Sequence, residues 1–135
     1  MAVNVSSNVK VKMQNDKSKF KDAFIKRVYK YALDIIAFVE QLPKGQVSNI
    51  IGEQLLRSAT SIGANVIEAQ GASSRRDYTN FFAYALKSAN ETKFWLGLLQ
   101  DSHKADKNAT SVLIKEATEL AKILATSILT LKGKK

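Results

Sequence analysis

Apolar residues recur at intervals of three and four along most of the chain, the spacing expected for one face of an α-helix. Short polar stretches interrupt this pattern and contain the helix-ending residues Pro43, Gly45 and Gly71. The pattern predicts four helices, over residues 18–42, 47–70, 75–102 and 106–131. Four helices of this length with short connections favour an all-α, antiparallel up-down-up-down four-helix bundle.

The periodic apolar positions give the predicted core of the bundle. On the first two helices they are Phe20, Phe24, Val28, Tyr31, Ile35, Val39, Leu42, Ile51, Leu55, Ala59, Ile62, Val66 and Ala69. On the last two they are Tyr78, Phe81, Phe82, Ala85, Ala89, Thr92, Leu96, Leu99, Leu113, Ala117, Leu120, Leu124, Ile128 and Leu131.

The second predicted helix is unusually poor in charge, because residues 54–70 include only Arg57 and Glu68. It carries apolar residues on a second side, and the third helix also has more apolar surface than one core needs. A helix that is apolar on two sides is expected to be buried on both. We therefore expect a neighbouring subunit to cover Leu56, Gly63, Ile67, Phe94, Trp95 and Leu98. Mid-helix Gly63 indicates either close approach of another backbone or a tolerated surface glycine.

A polar stripe accompanies these apolar ones. We expect a network that fixes the register of the helices, made of Gln54, Arg57, Ser61, Asn65, Glu68, Arg75, Arg76 and Glu91. In it Arg57 pairs with Glu91, and Glu68 pairs with Arg75 or Arg76, since buried charges need partners. The alternative is a binding pocket lined by Arg57, Asn65 and Glu68.

The net charge of +9 lies partly at the two ends. We expect a flexible basic tail over residues 1–17, the bundle domain over 18–132 and a basic tail over 133–135. Such charge can attract RNA or DNA, or can simply solvate the surface. The candidate phosphate-binding residues are Arg75, Arg76, Lys87, Lys93, Lys132, Lys134 and Lys135.

The sequence offers little for catalysis. Cysteine is absent, and His103 is the only histidine, so neither a zinc ligand set nor a nucleophilic triad is expected. The glycine-rich phosphate-binding motifs are also missing. We expect no enzyme activity, no cofactor and no metal. No apolar run is long enough for a signal peptide or membrane span, so no membrane association and a cytoplasmic location are expected.

One stretch carries a resemblance to a known family. Its residues are Gln54, Leu55, Arg57, Ser58, Ser61, Ile62, Asn65, Glu68, Arg76, Asp77, Tyr78, Asn90, Glu91, Trp95 and Leu96. In this combination the chain resembles the four helix bundle protein family, also called the 23S ribosomal RNA intervening-sequence protein family. The resemblance covers roughly residues 20–132. One departure is Ala69-Gln70-Gly71, where many members have Glu-Gly.

The resemblance implies an antiparallel four-helix bundle and a cyclic homo-oligomer, with pentamers in several members, and it implies no known catalysis. Some members are encoded within intervening sequences of ribosomal RNA genes, which implies a link to RNA. The leading hypothesis is a non-enzymatic homo-oligomer whose basic surface binds nucleic acid. The alternative is an oligomeric adaptor or scaffold that binds a protein partner without nucleic acid.

Overall fold

The computed structural model describes residues 2–133, with side chains from Asp16 to Gly133. It consists of four α-helices in chain order: α1 (Ala2–Glu40), α2 (Gln46–Ala69), α3 (Arg75–Asp101) and α4 (Lys107–Leu131). Each helix packs against its neighbours in the chain, and α1 also contacts α4, which closes an up-down-up-down bundle. The predicted fold class is therefore confirmed.

The helix starts follow from local chemistry. Ser74 caps α3, because its hydroxyl oxygen accepts the backbone N–H of Asp77 at 3.0 Å, while the Asp77 carboxylate accepts the backbone N–H of Ser73 at 3.1 Å. Asp106 caps α4, because its carboxylate accepts a hydrogen bond from the backbone N–H of Ala109, also at 3.0 Å. These caps satisfy N–H groups that a helix leaves without partners.

The first helix differs from the sequence prediction. It begins at Ala2, about four turns before the predicted start near Ser18. No proline or glycine occurs before Pro43, so no residue breaks the helix in this segment. All side chains from Asp16 to Ala23 are exposed, and Phe24 is the first buried residue of the described part of α1. The predicted core residue Phe20 is 60% exposed, which corrects its assignment.

The core lies where the periodicity predicts it. The buried set on α1 and α2 is Phe24, Val28, Tyr31, Ile35, Leu55, Ala59, Ile62, Val66 and Ala69. The set on α3 and α4 is Phe82, Ala85, Ala89, Leu96, Leu99, Leu113, Ala117, Leu120, Ala121 and Leu124. Across the centre, the rings of Phe24 and Phe82 lie 6.4 Å apart between centroids.

Two polar contacts join α1 to α4. The Arg27 guanidinium donates two hydrogen bonds of 2.7 Å to the Glu116 carboxylate, and this bonding raises the pKa of Arg27. The buried Tyr31 hydroxyl donates to the backbone carbonyl of Leu113 at 2.8 Å. Burial raises the pKa of Tyr31, because the phenolate would lose its hydration. The two contacts fix the register of α1 on α4.

Candidate functional site

The outer seam between α2 and α3 holds a four-residue polar cluster. Arg57 on α2 donates to the carboxylate of Glu91 on α3, which confirms the first predicted ion pair. The Gln54 side-chain oxygen accepts from Arg57 at 2.9 and 3.1 Å, and the indole N–H of Trp95 donates to Glu91 at 2.8 Å. The side chains of Arg57 and Glu91 are 53% and 36% exposed. We call Gln54, Arg57, Glu91 and Trp95 the seam cluster.

The rest of the predicted network does not join the seam cluster. The Ser61 hydroxyl donates to the carbonyl of Arg57, and the Asn65 amide donates to the carbonyl of Ser61, both at 2.8 Å along the same helix. These bonds leave both side chains on α2 rather than bridging to α3.

The second predicted ion pair is wrong. Among the described side chains, no carboxylate lies within 4.0 Å of Arg75 or Arg76, so Glu68 pairs with neither. Arg75 instead donates to the backbone carbonyl of Leu131 at 2.9 Å, which ties the start of α3 to the end of α4. Glu68 is exposed to solvent, so its charge needs no protein partner.

A buried hydroxyl pair lies beneath the seam cluster. The Thr92 hydroxyl of α3 lies 3.0 Å from the Ser58 hydroxyl of α2, and both residues are fully buried. Thr92 was predicted in the core, but its bond to Ser58 was not. The available signal is the small polar residue Ser58 among the buried apolar residues Leu55, Ala59 and Ile62 of α2.

The predicted interface residues lie in two separate regions of the surface, one on α3 and one between α1 and α2. Phe94 and Leu98 are exposed on α3, and the Phe94 ring meets Trp95 edge-on with centroids 5.0 Å apart. Exposed Tyr84 lies on the same helical face, three and four turns away from them. With the seam cluster these residues form one surface, which we call the seam face. Leu56 is half-buried against the core of its own chain.

Gly63 and Ile67 lie elsewhere, in a groove between α2 and α1. A Cβ atom at Gly63 would lie 3.7 Å from both the backbone oxygen and a methyl of Val28, so the backbone that approaches this glycine belongs to α1 of the same chain. Ile67 lines the same groove and is exposed. The close approach of a backbone at Gly63 is thus explained within one chain, and the covering of this groove by a neighbouring subunit stays a prediction.

Sequence reasoning missed an exposed apolar strip on α1. Tyr29, Leu33 and Ile36 follow each other at intervals of four and three and are exposed. The same spacing is the available signal, but spacing alone does not separate this strip from the core face of α1 that carries Val28 and Tyr31. The described part of the bundle thus presents at least two apolar surfaces, the seam face and this α1 strip.

The predicted phosphate-binding residues are partly clustered. Arg75, Arg76 and Lys132 line one open cleft of about 430 Å³ at the end where α3 begins and α4 ends, and no carboxylate lines it. We call this the basic cleft. Lys87 is exposed and Lys93 is half-buried further along α3, away from the cleft. Lys134 and Lys135 lie outside the described residues.

Metal-binding clusters and membrane-spanning helices are both absent from the described residues. Within the described part of the chain, no group of three histidine, aspartate or glutamate side chains is placed to hold a metal ion. Across the same residues, no helix combines the length and apolar character needed to cross a bilayer. His103 is exposed in the loop between α3 and α4.

Comparison with known proteins agrees with this architecture. The sequence model of the family described as 23S rRNA-intervening sequence protein matches residues 21–126. This chain belongs to that family. The matched segment takes in the seam cluster together with about half of α1 and most of α4. Residues 1–20 precede the match, so the helical start of α1 lies outside the family pattern.

A solved structure that is similar to this chain supports the fold. It is a protein of unknown function from the S23 ribosomal protein family of Bacteroides thetaiotaomicron, 35% identical in sequence, with a TM-score of 0.74. The match covers 78% of this chain and 97% of that one. None of the curated proteins compared with this chain matches it.

Proposed function

We propose that this protein is a non-enzymatic, cytoplasmic homo-oligomer that binds RNA through a basic surface. The observation that carries the proposal is that one end of the bundle groups Arg75, Arg76 and Lys132 around a cleft without carboxylates. Phosphate contacts of this kind supply affinity without reading base sequence. No catalytic step is part of the proposal.

Self-association is supported by the two apolar surfaces. Phe94 is 57% exposed on the seam face, and Tyr29 is 68% exposed on the α1 strip. A ring larger than a dimer needs two different complementary surfaces on each subunit, because each contact is head-to-tail. Packing the seam face of one copy against the α1 strip of the next meets that need. A pentamer is the ring size to test first.

Oligomerisation would bring several copies of the basic cleft together in one particle. Each copy contributes one cleft, and cyclic symmetry would repeat it at the same height around the ring. Several weak phosphate contacts on one RNA then act together and raise the overall affinity. Arg75 is already oriented for this by its bond to the carbonyl of Leu131.

The test combines native mass spectrometry with an RNA shift assay across a salt series. We expect one defined ring and an affinity that falls steeply with salt. Arg76→Ala combined with Lys132→Ala should weaken binding and flatten the salt dependence. Lys44→Ala combined with Lys107→Ala, two exposed lysines at the opposite end, is the matched control. Equal loss in both double variants would contradict a role for the basic cleft.

A protein adaptor is the second candidate function. It is favoured by the α1 strip, since an exposed aromatic and aliphatic strip fits the interface of another protein as well as that of a second copy. A pull-down with and without nuclease separates the two. Partners that remain after nuclease treatment and are lost in Tyr29→Ser favour the adaptor, whereas partners lost with nuclease favour RNA binding.

A further inference from the structure

The end of the bundle near the start of α3 contains a large apolar cavity, which adjoins the basic cleft at Leu131. It has a volume of about 460 Å³ and lies between residues 17–25 of α1 and the last turns of α4. Its floor is made by Phe24, Val66 and Phe82, and Tyr78 stacks on Phe82 with ring centroids 4.8 Å apart. The cavity is open to solvent on one side, and an apolar cleft of this size is typical of small-molecule sites.

One polar atom in the cavity wall lacks a partner. The side-chain oxygen of Gln70 is buried and accepts no hydrogen bond from any described residue. The amide nitrogen of the same side chain donates to the carbonyl of Val66 at 2.8 Å. That bond fixes the orientation of the amide, since the reverse placement would set two oxygens against each other. A buried acceptor without a donor is unfavourable. Because this oxygen is enclosed by its neighbours, an O–H or N–H group of a ligand reaches and satisfies it only when the side chains around it move apart.

The mouth of the cavity is cationic. Lys17 and Lys21 line it, and no described carboxylate lies within 4.0 Å of either ammonium group. Phe20 also lines the mouth and keeps 60% of its surface exposed. An apolar interior with positive charge at its opening matches a molecule with an apolar body and an anionic end.

We infer that this cavity binds a small amphipathic organic anion whose apolar body carries a hydroxyl or N–H group. The apolar body contacts the aromatic floor, the donor bonds to the oxygen of Gln70, and the anionic group lies near Lys17 and Lys21. The inference uses neither the seam face nor the basic cleft, so it stands or falls independently of RNA binding and assembly.

A fluorescent probe tests the site directly. Anilinonaphthalene sulfonate has an aromatic body, one N–H and one anionic group, and its emission rises when it leaves water. We expect saturable binding that Ser127→Phe abolishes, because residue 127 lines the cavity. Lys115→Phe adds the same ring to an exposed position of α4 outside the cavity and should leave binding unchanged. Far-UV circular dichroism confirms that both variants fold. Equal binding by both would overturn the inference.

Competition by fatty acids tests the two polar features. We expect 3-hydroxydecanoate to displace the probe about fivefold more tightly than decanoate, the effect of one neutral hydrogen bond. Gln70→Leu should remove that preference, and Lys17→Gln with Lys21→Gln should weaken both acids relative to neutral decanol. A preference that survives in Gln70→Leu, or decanol that competes as well as decanoate in the wild type, would refute the assignment.

Discussion

The Glu91 carboxylate receives hydrogen bonds from two residues, Arg57 on the opposite helix and Trp95 one turn along its own. The ion pair between Arg57 and Glu91 stays open to solvent, so water screens it in the single chain. An exposed pair contributes less than about 1 kcal/mol to folding. We therefore expect the cluster to stabilise an interface more than it stabilises the fold, because burial strengthens charge-assisted hydrogen bonds.

This leads to a prediction for Arg57→Ala. We expect the free energy of unfolding of the single chain to fall by less than about 1 kcal/mol, because the pair is exposed. Assembly should weaken by tenfold or more, because Glu91 would be left without a cation when the seam face is buried. Urea unfolding and sedimentation velocity measure the two effects separately.

Arg27→Ala is the matched control, since Arg27 makes a comparable exposed pair with Glu116 on the other side of the bundle. It should change stability by a similar amount and leave assembly through the seam face intact. If both variants dissociate equally, the seam cluster has no special role in assembly.

Tyr31 gives a prediction for alkaline pH. Its folded pKa lies above the ordinary value of 10, with burial as the main cause. The folded state therefore holds this proton more tightly than the unfolded state, and the stabilisation is complete below pH 10 and declines as the pH rises above it. Tyr31→Phe should cost about 1 kcal/mol at pH 8 through the lost bond to Leu113. The difference in unfolding free energy between the wild type and Tyr31→Phe should shrink above pH 10. Urea unfolding at pH 8 and above pH 10 measures it. A difference that stays constant or grows would contradict this assignment.

The core could be predicted from sequence because burial imposes a helical period on residues such as Val28, Leu55 and Leu120. Periodicity does not show where a long helix leaves the bundle, so Phe20 was placed in the core although it lies at the mouth of a cavity. The error at Glu68 has a different cause. The prediction assumed a buried polar stripe, and an exposed carboxylate has water as its partner.

The unpaired oxygen of Gln70 could not be predicted either. It is a property of the packing around Gln70, the residue that caps the end of α2. That depends on the relative placement of the helices, which no local pattern of residues specifies.

Gly63 and Gly52 give a matched pair of predictions for helix packing. A methyl group at Gly63 would make ordinary contacts of 3.7 Å with Val28. Gly63→Ala should therefore raise the free energy of unfolding by up to about 1 kcal/mol, through the better helix propensity of alanine. At Gly52 the new atom would lie only 3.2 Å from the end of the Leu42 side chain. Gly52→Ala should gain less or lose stability, because Leu42 has to move. Urea unfolding of both variants checks the order, and a larger gain at Gly52 would contradict it.

His103 adopts a backbone conformation that favours glycine. Its φ is 60°, and it is the only non-glycine residue with a positive φ in the described chain. It follows the end of α3. There the backbone N–H of His103 donates to the carbonyl of Gln100, and the backbone N–H of Lys104 donates to the carbonyl of Leu99. This is the double hydrogen-bond pattern in which the position of His103 is most often glycine. The left-handed conformation costs a side chain about 1 kcal/mol or more, so His103→Gly should stabilise the protein by about that amount.

Lys104→Gly is the control for His103→Gly. Lys104 is the next residue, is also exposed and does not have a positive φ. Glycine there adds freedom to the unfolded chain without relieving any strain, so it should lower the melting temperature slightly. His103→Gly should raise it by about 4 °C for each kcal/mol gained in a chain of 135 residues. A fall in both variants would show that the flexibility of the unfolded chain outweighs the strain at His103.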